Sequence, residues 1–145
     1  MIIDAHCHIL PPSFSQRRAE LSGRDATFAA IFESPKSRMA SAQELIDAMD
    51  RTGVAKAIVM GMGWTDRQVA QEANDYIIES VAEFPDRLIG FCSVNPGRGT
   101  DALAEVERCA AAGMKGIGEL HPDSQGLDIT DKQSMAPVMN LALEL

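Results

Sequence analysis

Short apolar runs alternate with amphipathic stretches along the whole chain. Residues 2–6 (IIDAH) form a first strand that runs straight into His-x-His. Ser41-Ala42-Gln43-Glu44 reads as a capping box, with Ser41 as N-cap and Glu44 reaching back to it. Leu45, Ile46, Ala48 and Met49 give the helix that follows an apolar stripe, and Gly53 ends it. Residues 54–60 (VAKAIVM) make a second strand, and Gly61-Met62-Gly63-Trp64 a turn. Asp66 then caps a helix running to Phe84, with Val69, Ala73, Tyr76, Ile77 and Val81 near helical spacing. Pro85-Asp86 stops it. Residues 88–94 (LIGFCSV) make a third strand, closed by Asn95-Pro96-Gly97. Thr100 is expected to cap a helix with Leu103, Val106, Cys109 and Ala110 inward, ending at Gly113. Residues 114–120 (MKGIGEL) make a fourth strand. A loop over 121–130 leads to a last helix, capped by Asp131 and running from Lys132 to the end.

The order is βα four times over. Short strands alternating with helices of this length imply a parallel sheet with right-handed crossovers. An open doubly wound sheet and half of a (β/α)8 barrel both fit. No G-x-G-x-x-G follows the first strand and no P-loop occurs, so a nucleotide-binding sheet would lack its phosphate site. A histidine pair ending the first strand favours the barrel. The expectation is therefore an α/β chain of four βα units forming half of a (β/α)8 TIM barrel, one partial domain over 1–145. Its irregular part is residues 11–40, a polar stretch carrying Arg17, Arg18, Arg24 and Lys36. It is too long for an ordinary loop and reads as a lid or a partly helical insertion.

Candidate chemistry gathers at the strand ends. Strand side chains alternate faces, so His6 and His8 point the same way, with Asp4 in register behind them and Cys7 turned to the opposite face. Two residues of strand rise separate the histidines by about 6.5–7 Å at Cα, from where two imidazoles can share one metal ion. Asp4 either orients an imidazole or accepts backbone donors. Glu119, at the end of the fourth strand, is a candidate metal ligand; the plain alternative is a salt bridge with Lys115 or an arginine of the insertion. His121 stands either as a substrate contact or as loop packing. Trp64, at the second strand's mouth, either forms an apolar wall for a substrate or packs internally. The eight methionines are scattered and read as core filler.

Composition narrows the functional classes. With 145 residues, 46% of them hydrophobic, the chain is long enough for a real core. A net charge of −8 argues against nucleic acid and anionic membrane as partners, because both need a basic surface. The three cysteines (Cys7, Cys92, Cys109) match no zinc-finger or redox spacing, which is the usage of a reduced, cytoplasmic protein. Neither a signal-peptide pattern nor a membrane-length apolar run occurs.

The segment Ile2-Ile3-Asp4-Ala5-His6-Cys7-His8-Ile9-Leu10-Pro11 resembles the opening of the amidohydrolase superfamily, in particular its amidohydrolase-2 branch of hydrolases and non-oxidative decarboxylases. Phe84-Pro85-Asp86-Arg87-Leu88-Ile89-Gly90-Phe91, Val94-Asn95-Pro96 and Gly113-Met114-Lys115-Gly116-Ile117-Gly118-Glu119-Leu120-His121-Pro122 agree with it in order and spacing. PHP-type phosphoesterases also open with His-x-His but fit the fourth-strand segment less well. The resemblance implies a complete eight-unit barrel whose metal site takes the first-strand histidines, here His6 and His8. It further implies a fourth-strand carboxylate, here Glu119, and histidines and a proton-transferring Asp from later strands that have no counterpart here. The implied cofactor is a divalent metal, zinc by preference, lowering the pKa of bound water to about 7. The implied function is a metal-dependent hydrolase acting on a small organic substrate. Decarboxylation on the same scaffold and a non-catalytic half-barrel or assembly module are the alternatives. An N-terminal half lacking the Asp is expected to be weakly active or inactive by itself. Its first and fourth strands would be open edges, so a homo-oligomer that closes the ring is a further expectation.

Overall fold

The helix leading into the second strand forms as its sequence dictates. In the computed structural model, which describes residues 1–145, Ser41 Oγ accepts from the Glu44 amide and the Glu44 carboxylate accepts from the Ser41 amide. Gly53 closes the helix at φ 74°, a left-handed conformation that a side chain would strain. The units are β1 (Ile3–His8), three short helices α1 (Pro12–Gln16), α2 (Arg18–Arg24) and α3 (Ala26–Phe32), and then α4 (Ala42–Thr52). β2 (Lys56–Met60), α5 (Arg67–Glu83), β3 (Leu88–Cys92) and α6 (Thr100–Ala111) follow. β4 (Gly116–Ile117), a single turn α7 (Pro122–Gln125) and α8 (Lys132–Glu144) complete the chain.

The four strands are parallel and lie in the order β1-β2-β3-β4. That order has no reversal, so there is no switch point of the doubly wound kind. The winding runs one way, as in a barrel. Ala57, Val59, Leu88 and Cys92 face the helices and join Ile46, Met49, Ile77, Val106 and Cys109 in the larger core. The opposite sheet face carries His6, His8, Ile58, Ile89 and Phe91, none of them fully buried. No helix of the chain is long and apolar enough to cross a membrane.

Three elements differ from the sequence reading. β4 is two residues long, because its far edge has no neighbour and it pairs with β3 only at Gly116 and Ile117. Thr100 is the first helical residue of α6 and not its cap; Gly99, at φ 56°, holds the cap position. The loop over 121–130 contains α7, which starts at Pro122 and stops at Gly126.

The insertion is docked rather than a hinged lid. The Leu10 amide donates to the Ala40 carbonyl, so residues 11–39 leave and re-enter at one point. Phe14, Leu21, Phe28 and Phe32 pack with Met62, Trp64, Val69 and Ala73 into a second core. Asp25 is buried and ties this unit to the β2–α5 loop: its carboxylate accepts the Phe28, Thr65 and Asp66 amides at 2.7, 2.6 and 2.7 Å. Thr27 Oγ1 donates to the Gly63 carbonyl at 2.7 Å. Asp25→Ala would leave three amides without their acceptor. It is expected to lower stability by about 3 kcal/mol or more, read from the midpoint of urea denaturation. A change under about 0.5 kcal/mol would mean that Asp25 is not the latch.

Candidate metal centre

A bulge sets the orientation of the first-strand residues. Asp4 pairs with Ala57 and Cys7 with Val59, so β1 uses three steps where β2 uses two. One extra residue breaks the alternation between Asp4 and the histidines. Asp4 is therefore not behind the imidazoles, as strict alternation suggests. Its carboxylate accepts the His6 amide at 3.2 Å and sits beside the Cys7 thiol. Burial and that neighbour push the Cys7 thiol up to about 12, so Cys7 stays protonated at neutral pH and offers no thiolate.

Beyond the bulge the two imidazoles converge. His6 Nε2 and His8 Nε2 lie 2.9 Å apart, and the rings meet edge-on with centroids 4.8 Å apart. Glu119 Oε2 lies 2.9 Å from His6 Nε2 and 3.1 Å from His8 Nε2. The other oxygen, Oε1, lies 2.8 Å from His121 Nε2. All three histidines of the chain thus meet one carboxylate.

His8 Nδ1 faces the carbonyls of Met60 and Gly61 at 3.3 and 3.2 Å. A carbonyl only accepts, so Nδ1 carries the proton and Nε2 presents its lone pair to the cluster. Backbone carbonyls commonly orient metal-ligating histidines in this way. One atom each from His6, His8 and Glu119 then shares one small triangle, an arrangement that could hold a cation.

The fourth-strand carboxylate arrives through a break in strand geometry. Gly116 lies against the inward-facing Phe91 ring, so plain alternation would turn Glu119 to the helix side. The ladder's last bond is from the Gly118 amide to the Cys92 carbonyl at 2.8 Å, and Gly118 passes so near Met60 that an added Cβ would lie 2.7 Å from the Met60 Cβ. That close approach needs a glycine and lets the chain turn Glu119 back towards the histidines.

Trp64 sits elsewhere than a substrate wall requires. It is 1% exposed, with its ring among Phe14, Phe28 and Phe32 at centroid distances of 6.2, 6.0 and 6.5 Å. The expectation of substrate contact is corrected: α1–α3 fold over the indole and enclose it. His121 is partly exposed and stands beside Glu119.

A family model described as Amidohydrolase matches residues 3–145. The chain belongs to the amidohydrolase family. No curated protein matches it. Among solved structures, this amidohydrolase chain is similar to 5-carboxyvanillate decarboxylase from Novosphingobium aromaticivorans, complexed with manganese and 4-hydroxy-3-methoxy-5-nitrobenzoic acid. The identity is 22% and the TM-score 0.75, over 99% of this chain and 47% of that one. It is also similar to 4-oxalomesaconate hydratase from Rhodopseudomonas palustris, at 19% identity and TM-score 0.68, covering 99% and 49%. A 2,6-dihydroxybenzoate decarboxylase complexed with 2,6-dihydroxybenzoate gives 20% and 0.60, covering 97% and 48%. At these identities the likeness is one of fold. The amidohydrolase chain spans about half the length of each of these structures.

Residues that brace the amidohydrolase site escaped the sequence reading. Asp25 sits in a stretch without usable periodicity. Gln125 lies in a segment read as loop, although Pro122 and Gly126 bracket it as a short helix's start and stop. The His8 tautomer gives a direct check on the site. In metal-free protein at alkaline pH, nitrogen NMR is expected to show the His8 proton on Nδ1. A proton on Nε2 would remove the lone pair on which the cation site depends.

Proposed function

We propose that this chain supplies the first- and fourth-strand half of a divalent-metal centre, with His6, His8 and Glu119 as ligands, in an enzyme that acts on a small organic substrate. The triangle of His6 Nε2, His8 Nε2 and Glu119 Oε2, with edges of 2.9–3.1 Å, carries the reading. Two histidines and a carboxylate suit manganese as well as the zinc that the sequence suggested. The manganese in the 5-carboxyvanillate decarboxylase complex favours manganese.

A bound divalent ion supplies Lewis-acid polarisation of a substrate oxygen and an acidified water. The residues of the chain set the stage for it. Met60 and Gly61 carbonyls fix the His8 ring. Glu119 places one oxygen on the triangle and turns the other to His121. His121 is the side chain of this half-site left to meet substrate. Hydrolysis is our first reading. Decarboxylation of an aromatic acid is the second, favoured by two similar structures that are decarboxylases. In either case the reaction is assigned to the whole enzyme, with the further ligands and the proton-transferring group that the other half of a barrel would bring.

Metal titration tests the reading. Calorimetry with Mn2+ and Zn2+ is expected to give one tight ion per chain. His8→Ala and Glu119→Gln should each weaken binding by about tenfold to a hundredfold or more. Wild-type affinity in both variants would overturn the site. Assays of a full-length enzyme for CO2 release from carboxylated phenols, set against ester and lactone hydrolysis, separate the two reactions.

A further inference from the structure

Glu119 lies beyond the last hydrogen-bonded residue of an edge strand, yet it must meet two histidines on β1 to within a few tenths of an ångström. The β3–β4 hydrogen bonds reach Gly118, whose amide donates to the Cys92 carbonyl at 2.8 Å, and stop one residue short of Glu119, so the segment beyond needs further support. The support comes from one buried side chain on α7. Gln125 Oε1 accepts the His121 amide at 3.0 Å. Its Nε2 donates to the Trp64 carbonyl at 3.2 Å and to the Val94 carbonyl at 3.1 Å. The amide therefore spends its oxygen on the Glu119–His121 segment and both its hydrogens on the loops that leave β2 and β3. Three barrel-mouth segments meet at one side chain that is only 9% exposed.

Gly63 makes this closeness possible. A Cβ there would lie 2.3 Å from the His121 nitrogen and 2.9 Å from Gln125 Oε1. The β2 loop thus touches the backbone that follows Glu119, with no room for a side chain between them.

We propose that Gln125 is a positioning residue of the metal centre: it clamps the Glu119–His121 segment to the β2 and β3 loops and so holds the Glu119 carboxylate on His6 and His8. A glutamine is suited to the task because one planar group offers an acceptor and two donors in fixed directions. The clamp is made entirely of protein groups. Its energetic weight follows from burial: with Gln125 gone, the Trp64 and Val94 carbonyls and the His121 amide each lose a partner where water does not replace it. The inference rests on the metal-centre reading above.

The test is a double-mutant cycle on Mn2+ affinity with wild type, Gln125→Met, Glu119→Gln and the double variant. Met fills nearly the same volume without the hydrogen bonds, and circular dichroism checks that each variant folds. Gln125→Met is expected to weaken Mn2+ binding by about tenfold. In the Glu119→Gln background it should cost nothing further, because the carboxylate through which Gln125 acts is gone. Unchanged affinity in Gln125→Met overturns the proposal. So does an equal loss in both backgrounds, which would mark a general effect on the fold. Hydrogen exchange on metal-free wild type needs no variant: the His121 amide should be protected well beyond a loop amide, and fast exchange there overturns the clamp. If wild type binds no Mn2+ while the His121 amide is protected, the metal reading fails and the clamp stands as a brace of the barrel mouth. If wild type binds Mn2+ and Gln125→Met binds as well, the clamp alone fails.

Discussion

The barrel mouth is organised around one carboxylate. Glu119 touches all three histidines, two from the first strand and one from its own segment. With His8 Nδ1 turned to backbone carbonyls, His8 Nε2 and Glu119 Oε2 face each other as lone pairs at 3.1 Å, which repel unless a proton or a cation lies between them. Keeping them together requires rigid backbone behind each. The bulge in β1, the glycines at 63 and 118, and the Gln125 amide all serve this requirement, and each acts on backbone geometry.

Rigidity at the mouth extends outward through the insertion. Residues 11–39 form a closed excursion from the end of β1, with their own aromatic core on Trp64. The β2–α5 loop is held from two sides, by Asp25 and Thr27 of the insertion and by Gln125 of α7. A buried carboxylate accepting three amides is favourable because every hydrogen bond is charge-assisted. The consequence for function is a second strand end that cannot drift, and it is this end whose carbonyls fix His8. The inner sheet face is, by contrast, uncovered, with the His6 side chain 59% exposed. The relatives in which this face belongs to a whole enzyme are about twice as long as this chain.

Much of the frame was legible in the sequence. The capping box at Ser41 and Glu44, the stop at Gly53, the cap at Asp66 and the breaks at Pro85 act within one or two turns, so local pattern suffices to find them. His-x-His on a strand end was equally local. Glu119 was found as a candidate for a less secure reason: parity along an unbroken strand would have sent it the wrong way, and the glycine that corrects it acts through Met60, a residue 58 positions earlier.

The sequence by itself determined the order of the four βα units, the ends of α4 and α5 and the identity of the candidate metal-binding side chains, because caps, periodicity and composition are properties of neighbouring residues. Only the tertiary structure decided where those side chains point. The bulge that removes Asp4 from the histidine face depends on pairing with β2. The enclosure of Trp64 depends on a distant insertion folding back. The role of Gln125 depends on three segments meeting at one amide. Contacts between residues 31 and 61 positions apart leave no periodic trace along the chain, so no local rule reveals them.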